Sequence, residues 1–177
     1  MKHILFAAMI VLFAGLIASA QTNSNGSLAL TGQLDGSIAL FFYSAPSGYV
    51  FSSDGLANEP VSIGDISAYG TTNALQSNNF TKAMDTDGFH LSTPFLLQVM
   101  EANLPSSTGY RLMASLGDND ATVWEIDGVI LSTTPALISA SEPYTTKVPH
   151  TLYVKFPFTE NSNSSLTDTI TFIATAN

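Results

Sequence analysis

Apolar side chains recur at every second position in each strongly apolar segment that follows the first twenty residues of this chain. Successive side chains of a β-strand point to opposite faces, so such alternation predicts half-buried strands. The inward sets are Tyr110, Leu112, Ala114 and Leu116; Leu152, Val154, Phe156 and Phe158; Phe95, Leu97 and Val99; and Ile170, Phe172, Ala174 and Ala176. No segment of eleven or more residues keeps a helical period. The sequence therefore predicts an all-β fold, an Ig-like antiparallel β-sandwich.

Turn residues refine this prediction. Asp127-Gly128 can supply the two positive φ angles of a type I′ turn, which predicts a hairpin with Trp124 opposite Leu131 and Ile126 opposite Val129. Pro157 points outward and lacks a backbone N–H, which predicts an edge strand or a bulge. Residues 44–90 are rich in Ser, Asn and Gly, with Tyr49-Val50-Phe51 and residues 60–66 as possible short strands. So long an irregular stretch predicts either hidden strands or a surface excursion.

The N-terminus predicts export. Lys2 precedes an unbroken apolar run over residues 4–17, and Ala18-Ser19-Ala20 forms a small-x-small cleavage site. The run is shorter than the ~20 residues that a membrane-spanning helix needs. We therefore expect a cleavable signal peptide at 1–20, an N-terminal arm or first strand at 21–36, and a β-sandwich domain at 37–177. The mature protein is expected to be secreted, extracellular or at the cell surface, without a membrane anchor.

Charge and cysteine content restrict the partners. The chain has 14 acidic residues against 5 Lys and Arg, a formal net charge of −9. Nucleic acids and anionic membranes attract basic surfaces, so neither is an expected partner. No cysteine is present, so burial and sheet pairing must replace the disulfides common in secreted domains. Assembly with further copies of the chain is a third possible source of stability.

The sequence offers little chemistry for catalysis. After cleavage, His90 and His150 are the remaining histidines, and neither lies in a recognisable catalytic signature. His150 directly precedes a strongly alternating segment and is predicted to be a turn residue. Carboxylate pairs for glycoside hydrolysis depend on spatial separation, which the sequence leaves open. We predict that the protein is not an enzyme and has no cofactor.

Two acidic clusters were considered as calcium sites. Asp85-x-Asp87-Gly88 resembles part of an EF-hand loop, but Ala83 and Pro94 occupy positions where that loop needs ligands. The second cluster contains Asp118, Asp120, Glu125 and Asp127. A polar turn between two strands explains this cluster better, so no metal is predicted.

Exposed aromatic rings could stack on sugars, and the candidates are Trp124, Tyr110, Tyr144 and Tyr153. A single Trp in a hairpin is more often a core side chain, because its large area is costly to leave in water. A monomeric secreted carbohydrate-binding module is the alternative function that these residues suggest.

The segment GSLALTGQLDGSIALFF (26–42) has two interpretations. Folded about Asp35-Gly36, it forms a hairpin whose second strand is apolar on both faces. Alternatively, Leu28, Leu30, Gly32 and Leu34 share one face of a donor strand that pairs with another subunit. These four residues are the predicted assembly interface. Both interpretations remain open at the level of sequence.

The polar mature N-terminus, SLALTGQL (27–34) and the final SLTDTITFIATA (165–176) resemble secreted bacterial fimbrial and spore-coat-U-type β-sandwich subunits. The resemblance implies that an N-terminal segment of one subunit completes the sheet of the next by β-strand addition. It also implies a homopolymer, or assembly with other surface proteins. The function expected from the sequence is therefore an extracellular structural subunit of a fimbria-like filament or surface matrix.

Overall fold

The computed structural model describes residues 31, 33, 35–69, 79–118, 122–159 and 167–177. The strands in these ranges are β1 (Ser37–Ser44), β2 (Thr81–Met84), β3 (Gly88–Ala102), β4 (Tyr110–Leu116), β5 (Val123–Ile126), β6 (Val129–Ile130), β7 (Ala136–Glu142), β8 (Val148–Pro157) and β9 (Ile170–Ala176). The predicted signal peptide and the predicted assembly residues Leu28, Leu30, Gly32 and Leu34 lie outside the described residues. Within the described ranges, no helix is both long enough and apolar enough to cross a membrane.

The strands form two antiparallel sheets, which confirms the all-β prediction in a sandwich-like form. The larger sheet has the order β1-β3-β8-β5-β6, with β2 also paired to β3, and the smaller sheet has the order β7-β4-β9. From β3 onward the chain crosses repeatedly between the sheets, with β5 and β6 as one hairpin in the larger sheet. The longest ladder joins β3 to β8 and runs from Gly88 opposite Pro157 to Leu97 opposite Val148.

The alternating apolar positions meet between the sheets. Leu91, Leu97, Val99 and Val154 of the larger sheet are fully buried, as are Tyr110, Leu112 and Ala114 of the smaller sheet. The inward sets predicted for β3, β4 and β9 are confirmed, although the β9 residues are half-buried. Phe158 was predicted to point inward and is instead 43% exposed, because β8 ends at Pro157 and the chain turns there.

The prediction that Pro157 marks an edge strand or bulge is wrong, because β8 lies between β3 and β5. Thr151 accepts a hydrogen bond from Asp127 N on the β5 side, so the odd-numbered residues of β8 direct their backbone groups to that side. Pairing with β5 stops at Lys155. The missing N–H of Pro157 therefore points past the start of β5, where no described residue pairs with it.

The hairpin at Asp127-Gly128 is confirmed. Their φ angles are 53° and 81°, Ile126 pairs with Val129, and Leu131 N donates to Trp124 O. Gly36 lacks the positive φ that the same turn type requires, so Asp35-Gly36 does not form a type I′ hairpin. β1 pairs instead with the far end of β3, with Ser37 opposite Ala102.

Residues 45–69 form an ordered surface excursion rather than strands, so the short strands predicted at 49–51 and 60–66 are wrong. The excursion supplies buried Phe51 to the core and is fixed by a hydrogen bond from Tyr49 N to Thr93 Oγ1. Strand β2 and the start of β3 were the strands hidden in this region. Along one edge of β3, β2 pairs up to Ser92 and β1 pairs from Phe95, and the excursion passes the gap between them.

Gly48 fits against Pro94 in this gap, where a Cβ atom would lie 1.8 Å from the Pro94 carbonyl oxygen. We expect Gly48→Ala to lower the free energy of unfolding by about 2 kcal/mol or more, since overpacking against backbone forces the chain to move. Urea unfolding followed by Trp124 fluorescence measures this loss. Gly117→Ala is the control, because its Cβ would lie 3.3 Å from Asp168 Oδ1 and no closer than 3.6 Å to the Thr169 carbonyl oxygen, which is an ordinary van der Waals distance. Equal losses in both variants would contradict the packing argument.

Candidate functional site

Strands β1 and β9 border the same side of the sandwich, one at the edge of each sheet. The rings of Phe42 on β1 and Phe172 on β9 meet edge to face, with centroids 5.4 Å apart. Gly36, just before β1, contacts Leu104, and Leu104 and Ala176 line one shallow depression. The start of β1 therefore lies near the end of β9, and the strands run in opposite directions. We call this region the β1/β9 side.

The backbone of β9 presents one unpaired edge among the described residues. Gly117 N donates to Thr169 O and Asn177 N donates to Gly109 O, so the odd-numbered residues of β9 face β4. Backbone groups alternate in direction along a strand. The N–H and C=O groups of Ile170, Phe172, Ala174 and Ala176 therefore point away from β4. No strand in the described part of the chain pairs with them.

The outer edge of β1 is half covered. Phe42 N donates to Leu56 O, Gly55 N donates to Phe42 O, and Ser44 N donates to Asp54 Oδ1. By the same alternation the backbone groups of Ile38 and Leu40 also point outward, and no described residue pairs with that part of the edge. The excursion thus closes the β1 edge at Phe42, and no residue in the described ranges covers the part from Ser37 to Phe41, which we call the open part.

The side chains that line the open part are apolar and half-buried. Ile38 and Leu40 belong to β1, and Ala174 and Ala176 of the antiparallel β9 lie toward the same end. Small alanines beside larger aliphatic residues leave room for another side chain. The shallow depression at this end is lined by residues 103–107 and by Ala176 and Asn177. An edge with exposed backbone groups and an apolar floor can accept an added strand.

A second arrangement joins the two sheets through charged groups. His150 Nδ1 on β8 lies 2.7 Å from Asp127 Oδ2 in the β5–β6 turn, and its Nε2 lies 3.6 Å from Glu142 Oε2 on β7. Tyr110 on β4 lies opposite Glu142 in the ladder between β4 and β7. We call Asp127, His150, Glu142 and Tyr110 the His150 junction. The prediction that His150 is a turn residue is wrong: it lies inside β8 and is 3% exposed.

The imidazole of His150 in this junction is protonated at neutral pH. Burial opposes the charged imidazolium, but the Asp127 and Glu142 carboxylates outweigh it and raise the pKa of His150 to about 9. Burial raises and His150 lowers the pKa values of Asp127 and Glu142, and the net direction for both is downward. Burial and the neighbouring Glu142 raise the pKa of Tyr110. The junction is therefore a buried cation between two carboxylates and a neutral phenol.

This geometry does not resemble a catalytic triad. Both ring nitrogens of His150 face carboxylates, so no nitrogen of the ring is directed at a serine or threonine nucleophile. The imidazole is also shielded from solvent, and a general base must reach a substrate proton. The arrangement instead links β8 and the β5–β6 turn of the larger sheet to β7 of the smaller sheet.

The other predicted site residues lie in separate places. Asp118 N and Gly117 N donate to Asp168 Oδ1, Glu125 lies opposite Tyr153 on the outer face of the larger sheet, and Asp120 lies outside the described residues. The described parts of the chain bring together no group of three His, Asp or Glu that could hold a metal. Asp85 pairs with His90 at 3.0 Å, and Asp87 pairs with Lys155 at 2.8 Å.

The four aromatic residues that were candidates for sugar contacts do not form one exposed platform, although the rings of Tyr110 and Tyr144 meet with centroids 5.7 Å apart. Trp124 and Tyr110 are buried, and Tyr144 is half-buried with its hydroxyl 2.7 Å from Ser107 Oγ. The ring of Tyr153 stacks on His90, with centroids 4.4 Å apart. Sequence reasoning missed the exposed stack of Tyr69 on Phe158, because the two residues lie far apart in the sequence and Phe158 was predicted to point inward.

No protein-family model matches this chain, and no curated protein matches its sequence.

Replacing His150 with leucine would leave Glu142 buried without its counter-charge. We expect His150→Leu to lower the free energy of unfolding at pH 7 by about 3 kcal/mol or more, since removing one partner of a buried ion pair strands the other. His90→Leu is the matched control, because the Asp85–His90 pair is partly exposed and such pairs contribute about 1 kcal/mol or less. Urea unfolding of both variants measures the difference. Losses of similar size would show that the His150 junction does not hold the sheets together.

Proposed function

We propose that this protein is an extracellular structural subunit of a fimbria-like filament or surface matrix. The N-terminal arm of one copy adds as a strand to the β1/β9 side of the next copy. The observation that carries the proposal is the outward-facing backbone edge of β9, flanked by the half-buried apolar residues Leu40 and Ala174. Such an edge promotes association between chains unless another strand covers it.

The arm matches this edge in length and in pattern. Strand β9 has seven residues, and the predicted interface from Leu28 to Leu34 spans the same number. Leu28, Leu30 and Leu34 alternate with Ala29, Thr31 and Gln33, so one face of an extended arm is apolar. At about 25 cal/mol per Å² of apolar area, burying three leucines contributes on the order of several kcal/mol before ordering costs. Backbone hydrogen bonds would fix the orientation of the arm.

The wider context of the proposal rests on sequence. The predicted signal peptide would deliver the chain to the cell surface, and the absence of cysteine leaves strand pairing as the means of joining subunits. An Ig-like class of sandwich is part of the proposal, supported by the crossing of the chain between the two sheets from β3 to β9. Neither catalysis nor a cofactor is required. The carbohydrate-binding alternative is not proposed, since Trp124 and Tyr110 are buried and the ring of Tyr153 stacks on His90.

Removing the arm should abolish assembly. We expect residues 21–177 to form filaments or ladders of oligomers, and a chain beginning at Ser37 to remain monomeric, by negative-stain electron microscopy and light scattering. Leu30→Asp should abolish assembly because it places a charge on the apolar face of the arm, whereas Thr31→Asp on the opposite face is the matched control. A monodisperse monomer from residues 21–177, destabilised by truncation, would make the arm a strand of its own domain and overturn the proposal.

Blocking the β9 edge should have the same effect from the acceptor side. The Ala174 N–H points outward, so Ala174→Pro removes no hydrogen bond to β4 but covers the edge with the proline ring. We expect filaments to disappear while circular dichroism still reports folded β structure. Ala174→Ser keeps the N–H and is the control. Normal filaments from a folded Ala174→Pro variant would place the acceptor elsewhere.

A further inference from the structure

The His150 junction lies where the pairing of the smaller sheet is least regular. Between β4 and β7 the register shifts twice before Tyr110 reaches its partner Glu142. Fewer regular ladder bonds therefore hold this end of β7 to its own sheet. The β7–β8 turn that follows is held from the larger sheet, where Thr145 N donates to Val99 O at 2.8 Å. The end of β7 thus depends on contacts that cross between the sheets.

The protonation state of His150 sets the strength of its contact with Glu142, which joins the two sheets. An imidazolium has two N–H donors: the one on Nδ1 is hydrogen-bonded to Asp127, and the one on Nε2 lies 3.6 Å from Glu142, an ion-pair contact longer than a hydrogen bond. A neutral imidazole has a single N–H donor. Its proton stays on Nδ1, because the 2.7 Å contact with Asp127 is the shorter of the two carboxylate contacts. The lone pair on Nε2 would then face the Glu142 carboxylate. The hydroxyls of Tyr110 and Ser139 would be the remaining donors beside that carboxylate.

We propose that the His150 junction is a proton-operated latch between the two sheets: one bound proton holds the end of β7 against β8, and its loss releases that end. This inference is independent of the proposed function. The titratable groups that face His150 are Asp127 from the β5–β6 turn and Glu142 from β7, with Tyr110 of β4 beside Glu142. Phe95 of β3 packs on the ring and does not titrate, and Tyr144 contacts Tyr110.

The direction of the pH dependence follows from the pKa shifts. The pKa of His150 rises from 6.5 to about 9 on folding, so its stabilisation is complete below pH 6.5 and is lost as the pH rises through 9. The pKa values of Asp127 and Glu142 fall below 3.8 and 4.5, so their stabilisation is present above those values and is lost as the pH falls. The latch is therefore closed between these limits and opens on either side.

Nuclear magnetic resonance titration of residues 21–177 carrying Leu30→Asp, a variant that should stay unassembled, tests the latch directly. His90→Gln assigns the two imidazoles, and we expect His150 to titrate above pH 8. The amide resonances of Glu142 and Thr145 should move with the same midpoint, because they report the end of β7 and the turn after it. A His150 midpoint below pH 7.5, or amides that do not follow it, would overturn the proposal.

Urea unfolding at a series of pH values supplies the second measurement. Between pH 6.5 and 9.5 the unfolding equilibrium constant of the unmodified protein should rise roughly 100-fold, because the folded state loses its extra proton in this range. His150→Gln cannot take up a proton and should show little change over the same range, whereas His90→Gln should behave like the unmodified protein. The same rise in His150→Gln would assign the pH dependence to other groups and overturn the latch.

Discussion

The ladder between β3 and β8 is the interaction on which the rest of the structure depends. It joins ten consecutive residue pairs at the centre of the larger sheet and carries fully buried Leu91, Leu97 and Val154 on its inner face. The other strands of this sheet attach to one of these two strands or to β5, which itself pairs with β8. In a chain without cysteine, this continuous buried pairing provides what a disulfide framework provides in many small secreted domains.

Three prolines lie within these central strands without breaking them. Pro149 and Pro157 of β8 direct their ring nitrogens to the β5 side, on either side of the stretch that β5 pairs. Pro94 of β3 points its nitrogen into the gap between β1 and β2, which Gly48 approaches closely. Each proline thus marks a place where a neighbouring strand is absent or ends. Proline is tolerated in a sheet where no ladder bond is required of its nitrogen.

Alternation predicted the strands well wherever one face is buried, as in Tyr110–Leu116, because burial imposes the period directly on the sequence. It failed for residues 49–66, which form no strand. Apolar residues there pack against the core one at a time, so they show no regular spacing in the sequence. It also failed for His150, since a polar residue at a buried position breaks the pattern. The partners that make this burial tolerable, Asp127 and Glu142, lie 23 and 8 positions away and become neighbours only through sheet pairing.

The bridge from Gly55 and Leu56 to Phe42 has a consequence for the geometry of a filament. This bridge would block an arm added along the β1/β9 side, so the arm could extend no further than Phe42. Slipping by one residue would also turn every leucine of the arm to the opposite face. Each junction in such a polymer would therefore have the same length, and the axial repeat would be uniform from subunit to subunit. Fibre diffraction from such a polymer would give sharp layer lines, not the diffuse ones of a variable linker.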